Sequence, residues 1–419
     1  MSNRKPAIVF IFITLVIDIL GFGLIIPVLP GLVKTLTTGG PERGAHEFGL
    51  LLASFGLAQF LFSPILGALS DRYGRRPVLL IALFVTIFDY VIMALANSMG
   101  WLFVGRILAG MTGASFTVGS AYIADVSPPE KRAQSFGLIG AAFGVGFILG
   151  PAAGGLLATV SERAPFWAAA ALSLANFLFG LFVFPESLQP KDRRAIDASS
   201  LNPAKGLVIL LRFPWVAVMA AAMALTALAQ NSLQSTWVLF TTARYHWSPL
   251  DNGLSLALIG LCSGLVQGGL TRLIIPRLGE RRSVIVGYLV NFLGFLGFVL
   301  ATKSWMVLVV LVFWCLGGIS GPALQSMLSK QFQANEQGAL QGALTSIQSL
   351  TGIVGPLIAT WVFGYFTSPT APIQMPAAPF ALGAVLIAVS ALVASKAMLS
   401  HRDDEIAAGE AKREVAPAE

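Results

Sequence analysis

Runs of apolar residues long enough to cross a membrane alternate along this chain with short polar turns. Cutting at charges and at Pro/Gly clusters leaves twelve segments, at about residues 7–29, 48–70, 77–96, 101–123, 134–157, 165–184, 214–239, 252–275, 283–301, 305–328, 339–364 and 378–398. Each is long enough to cross ~30 Å of hydrocarbon as a helix. Residues 337–395 carry no charge at all, yet they make two spans, because 368–379 holds four prolines and cannot continue a helix.

The turn Gly67 to Arg76, read GALSDRYGRR, places a cluster of charges between an uncharged apolar segment, Phe48 to Ser70, and the next one, from Pro77. Two spans joined by so short a basic turn form a helical hairpin bent on the cytoplasmic side. The chain repeats itself 205 residues later: PRLGERR, Pro276 to Arg282, puts Gly279 at the position of Gly74. The same offset relates Gly113 to Gly318, Gly137 to Gly342, and Gly150–Pro151 to Gly355–Pro356. The sequence therefore predicts two halves of one design in one orientation: 1–184, a linker at 185–213, 214–398, and a tail at 399–419.

Composition agrees with the pattern. Charged residues are 11% of the chain and apolar residues 56%, which leaves too little polar surface for a soluble fold. The net charge of +7 does not indicate nucleic acid, because the positive residues sit in turns between apolar runs and suit lipid headgroups instead. With both termini cytoplasmic, 21 Lys and Arg fall on the cytoplasmic side and 5 on the other (Lys34, Arg43, Arg163, Arg244, Lys303), with Arg106 inside the membrane. The start, with Arg4 and Lys5 ahead of an apolar run, lacks a cleavage site and carries Asp18 mid-run, so it reads as a retained first span. Cys262 and Cys315 lie inside spans and read as small core residues rather than a disulfide or metal framework. The linker and tail read as solvated segments, the tail as disordered or a frayed helix.

Asp18, Asp89 and Arg106 lie well inside spans, all in the first half. A mid-membrane charge costs about 2.5 kcal/mol or more, so each is expected to face the bundle interior or a water-filled cavity. Burial disfavours a charged carboxylate and a neighbouring arginine favours it, so a carboxylate whose arginine contact changes with conformation makes a proton carrier. The bland alternative is a static pair between helices. The amides Gln59, Asn231, Gln234, Gln267, Asn291 and Gln325 serve either as packing glue or, with aromatic residues such as Trp237 and Trp314, as walls of a cavity for an amphipathic compound. In span 5, Gly146, Gly150 and Gly154 fall on one helical stripe, with Pro151 and Gly155 beside it, which permits a close helix approach and a pivot.

On these motifs the chain resembles the major facilitator superfamily over essentially its whole length, within the twelve-span drug:proton antiporters and most like the tetracycline-efflux group. GALSDRYGRR matches the signature between spans 2 and 3, LFVGRILAGMTGA around Arg106 the span 4 motif, and the span 5 glycines the pattern of exporters. IDILGFGLIIPVLPGL, FDYVIMA and GPALQSMLSKQ are similar to the tetracycline group in particular. The resemblance implies an all-α membrane bundle of twelve helices in two six-helix halves, and proton-coupled drug efflux by alternating access. It implies a cytoplasmic latch of Gly67, Asp71, Arg72, Gly74, Arg75, Arg76 and Asp125, with Asp71 against the start of span 11 and Arg75 or Arg76 reaching Asp125. It assigns Asp18, Asp89 and Arg106 to proton coupling and transport, and Gln59 and Gln267 to the cavity.

Where tetracycline exporters typically carry an aspartate in span 9 and many a histidine in span 8, this chain has Asn291 and Ser263. Its second half then has no ionisable side chain inside a span besides the cysteines, so the proton carriers are expected in the first half. No enzyme activity, metal site or cofactor is expected: there is no phosphate-binding GxxxxGK[ST] pattern, and His46, His246 and His401 lie outside the spans without metal spacing. The expected partners are a small-molecule substrate, which arrives as a magnesium chelate if it is tetracycline, protons and the bilayer. A monomer in a bacterial inner membrane completes the reading. The alternatives are an exporter or importer of another metabolite on the same fold, and a transport-inactive membrane sensor.

Overall fold

The computed structural model describes residues 4–113, 115–128, 132–193, 214–332 and 336–415. Most of the expected linker (194–213), Lys131 and the last four residues lie outside them. Among the described residues all regular structure is helical, and twelve helices are long and apolar enough to span a membrane. We label these α1 (Arg4–Ile25), α2 (Gly40–Tyr73), α3 (Arg75–Leu95), α4 (Met99–Thr112 and Ser115–Val126), α5 (Arg132–Ala158) and α6 (Ala164–Val183). They continue with α7 (Pro214–Tyr245), α8 (Pro249–Leu265 through Thr271–Leu278), α9 (Glu280–Leu300), α10 (Ser304–Leu316 through Ser320–Ser329), α11 (Gln337–Thr367) and α12 (Ala378–Val415).

The helices extend beyond the apolar segments in three places. α2 starts at Gly40 rather than near 48 and so carries Glu42, Arg43, His46 and Glu47; His46 therefore belongs to a helix, not to a turn outside the spans. Its polar first turns are held by Arg43 Nε at 3.1 Å from Glu47 Oε1 and by Thr37, whose hydroxyl donates to Glu47 Oε2 at 2.5 Å. α7 runs on through Arg244 to Tyr245, and α12 continues through the tail to Val415. A backbone hydrogen-bond ladder propagates cheaply once formed, so a helix need not stop where its apolar face stops. A separate two-turn helix, Leu29–Leu36, follows α1 and buries Leu29, Leu32 and Val33.

The two tight hairpin bends explain the repeated glycine. Gly74 (φ +106°) separates α2 from α3, and Gly279 (φ +79°) separates α8 from α9. Both sit in the left-handed half of the map, where a side chain is strained. α8 is interrupted by a π turn over Val266–Leu270, and α10 by a 3-10 turn over Gly317–Ile319.

By contact the chain divides into two compact units: Met1–Pro203 with Ser232–Gly264 and Gly352–Pro379, and Ala204–Asn231 with Leu265–Thr351 and Phe380–Glu419. The divisions within helices fall inside α7, α8, α11 and the first turn of α12, and the one in α8 adjoins the π turn. In the first unit, one apolar cluster groups Leu24, Leu51, Met93, Leu102 and Phe166, and another groups Ile11, Leu15, Leu79, Tyr122 and Ala142. Large apolar side chains such as Phe182, Leu300 and Leu392 are left exposed, as expected where lipid is the solvent.

Candidate functional site

Two of the three intramembrane charges meet. Arg106 Nη2 of α4 lies 3.2 Å from Asp89 Oδ2 of α3, with the side chains 3% and 1% exposed. The same nitrogen is 3.0 Å from Met93 Sδ, and the guanidinium stands 5.7 Å from the centre of the Phe55 ring. Arg106 Nε is buried without a hydrogen-bond partner. A cation so placed relies heavily on one carboxylate, and breaking such a pair leaves an uncompensated charge in a dry site. Glycines bring the helices close enough: a Cβ on Gly105 would stand 3.0 Å from Asp89 Oδ1 and 2.9 Å from Met93 Cγ, and one on Gly110 would strike the Phe55 carbonyl of α2. Those are glycines of the LFVGRILAGMTGA stretch.

Asp18, on α1, is half-buried. Tyr90, next to Asp89 in sequence, is buried on α3. A Cβ on Gly21 of α1 would be 3.5 Å from its hydroxyl. Tyr90 thus packs α3 against α1, the helix that carries Asp18. Nothing in the FDYVIMA stretch distinguishes this tyrosine from a core aromatic residue.

At the α2–α3 bend, Arg75 is the arginine that reaches Asp125. Its Nε lies 3.1 Å from Asp125 Oδ2, its Nη1 2.6 Å from Asp71 Oδ1 and 2.6 Å from Ser70 Oγ. Arg76 instead donates to the Leu181 carbonyl at the end of α6, and Arg72 stacks on Tyr73. Gly67 faces Thr117 of α4, where a Cβ would find ordinary contact at 3.9 Å. A residue of the 185–213 segment completes the arrangement. Glu186 accepts from the backbone N–H of Arg75 (3.0 Å) and Arg76 (3.3 Å), and from Ser187 and Leu188. It caps α3 from 110 residues away, where a carboxylate also meets the positive end of the helix dipole. A Cβ on Gly74 would strike this carboxylate, a second reason for glycine there. Glu186→Gln is expected to lower thermal stability in detergent by about 1–2 kcal/mol, with Arg76→Gln as the comparison that leaves the cap intact.

In α5 the glycine stripe faces α1. Gly146 adjoins Ile19, Gly150 approaches Gly23 with a Cβ position 2.8 Å from its Cα, and Gly154 abuts the Leu24 carbonyl. Gly155, off the stripe, meets Pro249 and Leu250 at the start of α8, and Gly253 of α8 meets the Pro151 carbonyl. The stripe therefore locks α5 to α1, while Pro151 and Gly155 form a second contact with α8.

A family model described as Major Facilitator Superfamily matches residues 11–356 and 274–417. The chain belongs to the Major Facilitator Superfamily. This makes it a membrane transporter of small molecules, not an enzyme, with twelve spans in two six-helix halves. It is 42% identical over 361 residues to "Tetracycline resistance protein, class C" of Escherichia coli, covering 86% of this chain and 90% of that one. It is 37% identical over 361 residues to the class D protein of Salmonella ordonez, covering 86% and 90%. The crystal structure of the human organic anion transporter MFSD10 (TETRAN) superposes with a TM-score of 0.70 over 94% of this chain and 100% of that one, at 24% identity.

Within the superfamily fold, the 205-residue repeat shows where the halves differ. Glu280 and Lys330 occupy the positions of Arg75 and Asp125, and they too pair: Lys330 Nζ is 2.7 Å from Glu280 Oε2, with Ser326 donating to Glu280 at 2.5 Å. The clasp is repeated with its charges exchanged. Thr86 bonds Thr112 at 3.2 Å, and at the equivalent positions Asn291 Nδ2 donates to the Gly317 carbonyl at 3.2 Å. The positions of Asp89 and Arg106, however, are Gly294 and Leu311, and Gly294 is packed against Trp314. The buried charge pair is therefore a feature of the first half alone.

The amides are used unevenly. Asn291 is buried in its bond to Gly317, Asn231 donates to the Ala227 carbonyl of its own helix at 2.8 Å, and Gln325 donates to Gln341 of α11 at 3.1 Å. Gln59 Nε2 lies 3.5 Å from the Gly113 carbonyl. Gln234 and Gln267 are exposed, and Gln267 sits in the π turn of α8. Trp237 is fully buried, with Nε1 donating to Ser255 Oγ at 2.9 Å, so it fills core rather than lining a cavity. Tyr288, buried in α9, amends the expectation that only cysteines are ionisable there. Cys262 and Cys315 remain thiols, and no cluster of three or more His, Cys, Asp or Glu able to hold a metal occurs among the described residues.

Proposed function

We propose that this chain is a proton-coupled exporter of a small amphipathic drug such as tetracycline. It would work as a monomer in a bacterial inner membrane, with both termini in the cytoplasm. The observation that carries this reading is the Asp89–Arg106 pair, sealed from solvent and present in one half only, in a chain that closely resembles tetracycline resistance proteins. A scaffold element would be expected in both halves; a coupling element needs to exist once. The two sequence halves, 1–184 and 214–398, would rock about a midplane site, as is usual for this architecture.

In this cycle a proton taken from outside onto Asp89 or Asp18 weakens the hold on Arg106, and its release inside accompanies extrusion of the drug. The membrane potential adds ~2.3 kcal/mol per charge per 100 mV. The Asp71–Arg75–Asp125 cluster, with Gly67, Arg72 and Gly74, is the cytoplasmic latch. Gln59, Asn231, Gln234, Gln267 and Gln325 are the polar positions open to substrate contact, Asn291 being held in its bond to Gly317, and tetracycline would be carried as its magnesium chelate.

The test is drug-induced proton release in everted vesicles containing the chain. Tetracycline is expected to drive proton movement that depends on magnesium, and an unrelated lipophilic cation is expected to drive none. A response only to the cation would show that the fold and the coupling persist with a different specificity. No response to either would overturn proton-coupled drug export.

A further inference from the structure

His46 and the seam it enters were not part of the expected machinery. On α2, Gly49 faces Thr360 of α11 so closely that a Cβ would strike the Thr360 hydroxyl, and Gly56 faces Ile353 with a Cβ position 3.2 Å from its Cγ1. One turn before Gly49, the imidazole of His46 fills the space that a side chain on Gly364 would take: a Cβ there would lie 3.0 Å from Nε2 and 3.1 Å from the Glu42 carbonyl. His46 Nε2 is buried and has no hydrogen-bond partner.

His46 is half-buried, and its surroundings offer a cation no hydrogen-bond acceptor at Nε2. α11 carries no charged residue, since none occurs between 337 and 395; its nearby titratable group is Tyr365, which stacks on Trp361. On α2 itself the carboxylate of Glu47 is already engaged by Arg43 and Thr37, and Glu42 presents its carbonyl to the seam. Lys34, on the short helix before α2, is exposed.

We propose that His46 is a proton-operated element of the α2–α11 seam. Neutral, the ring packs against Gly364. Protonated, it carries an N–H at both ring nitrogens with no acceptor at Nε2, so the state that admits water to the ring is favoured and the helices part. With both termini cytoplasmic, as proposed above, this end of α2 faces outside. An external proton would then open the chain on the side from which the proton comes, which is the order an antiporter needs.

The proposal is tested in the full chain with Cys262 and Cys315 replaced by Ser and Thr360→Cys as reporter. A membrane-impermeant maleimide is added outside intact cells near neutral pH and about two pH units lower, and each rate is divided by that of the unfolded chain at the same pH. The normalised rate is expected to rise severalfold on acidification and to stay flat in His46→Asn. Gly364→Ala, which displaces the ring, is expected to give fast labelling at both pH values. An equal rise in His46→Asn, or no acid response with His46 present, overturns the proposal. The labelling is independent of which drug moves, so drug-driven proton release reports separately on the export reading.

Discussion

Asp89→Asn is expected to abolish drug-driven proton movement and to destabilise the chain by about 3–5 kcal/mol, since it leaves Arg106 buried without its counter-charge. Arg106→Gln is expected to do comparable damage from the other side. The informative variant carries both changes. Asp89→Asn with Arg106→Gln removes the charges together, as the second half does with Gly294 and Leu311. Its melting temperature in detergent should lie closer to the unmodified chain than either single variant does, because no lone charge remains. Transport should stay absent. Restored transport in the double variant would mean that the pair is a static helix-helix contact, while a melting temperature below both singles would contradict the account of why the singles are unstable.

Gly154→Ala is expected to cost about 1–3 kcal/mol by overpacking and to stop transport, because the added methyl would strike the Leu24 carbonyl and Leu24 Cα at 2.9 Å, and backbone cannot move aside as a side-chain tip can. Gly150→Ala should behave similarly against Gly23. Gly144→Ala, in the same helix but with nothing within 4 Å of the new carbon, is the control. It should be neutral or slightly stabilising, since alanine favours helix over glycine. Thermal unfolding of the three variants separates the stripe from the rest of α5: equal behaviour would show that glycine content, not its placement against α1, is what matters.

Much of this architecture is legible from the residues because a membrane forbids alternatives. Charge-free runs of sufficient length must be helices, and a glycine repeated 205 residues apart in a basic turn marks the same bend twice, as Gly74 and Gly279 do. What the sequence leaves open is decided by contacts across large separations. Whether Arg75 or Arg76 takes Asp125 depends on where α6 ends, since the Leu181 carbonyl captures Arg76. Glu186 looked like linker because capping from 110 residues away has no local signature. Counting apolar residues starts α2 near 48 and leaves His46 outside the span, while the backbone ladder begins at Gly40. Tyr90 becomes noticeable only once its hydroxyl is found against Gly21 of α1, the helix that carries Asp18.

The exchanged clasp bears on how the two halves came to differ. If both descend from one ancestral half, reversing an ion pair requires passing through a protein with two like charges or one partner missing. In the first half that intermediate would be punished, because the Arg75 side chain is only 10% exposed and shares its charge with Asp71 and Asp125. In the second half the Lys330 side chain is 66% exposed, against 22% for Glu280, so water can stand in for the missing partner of the lysine and the intermediate is less costly. Drift could therefore invert one clasp more readily while selection held the other in place.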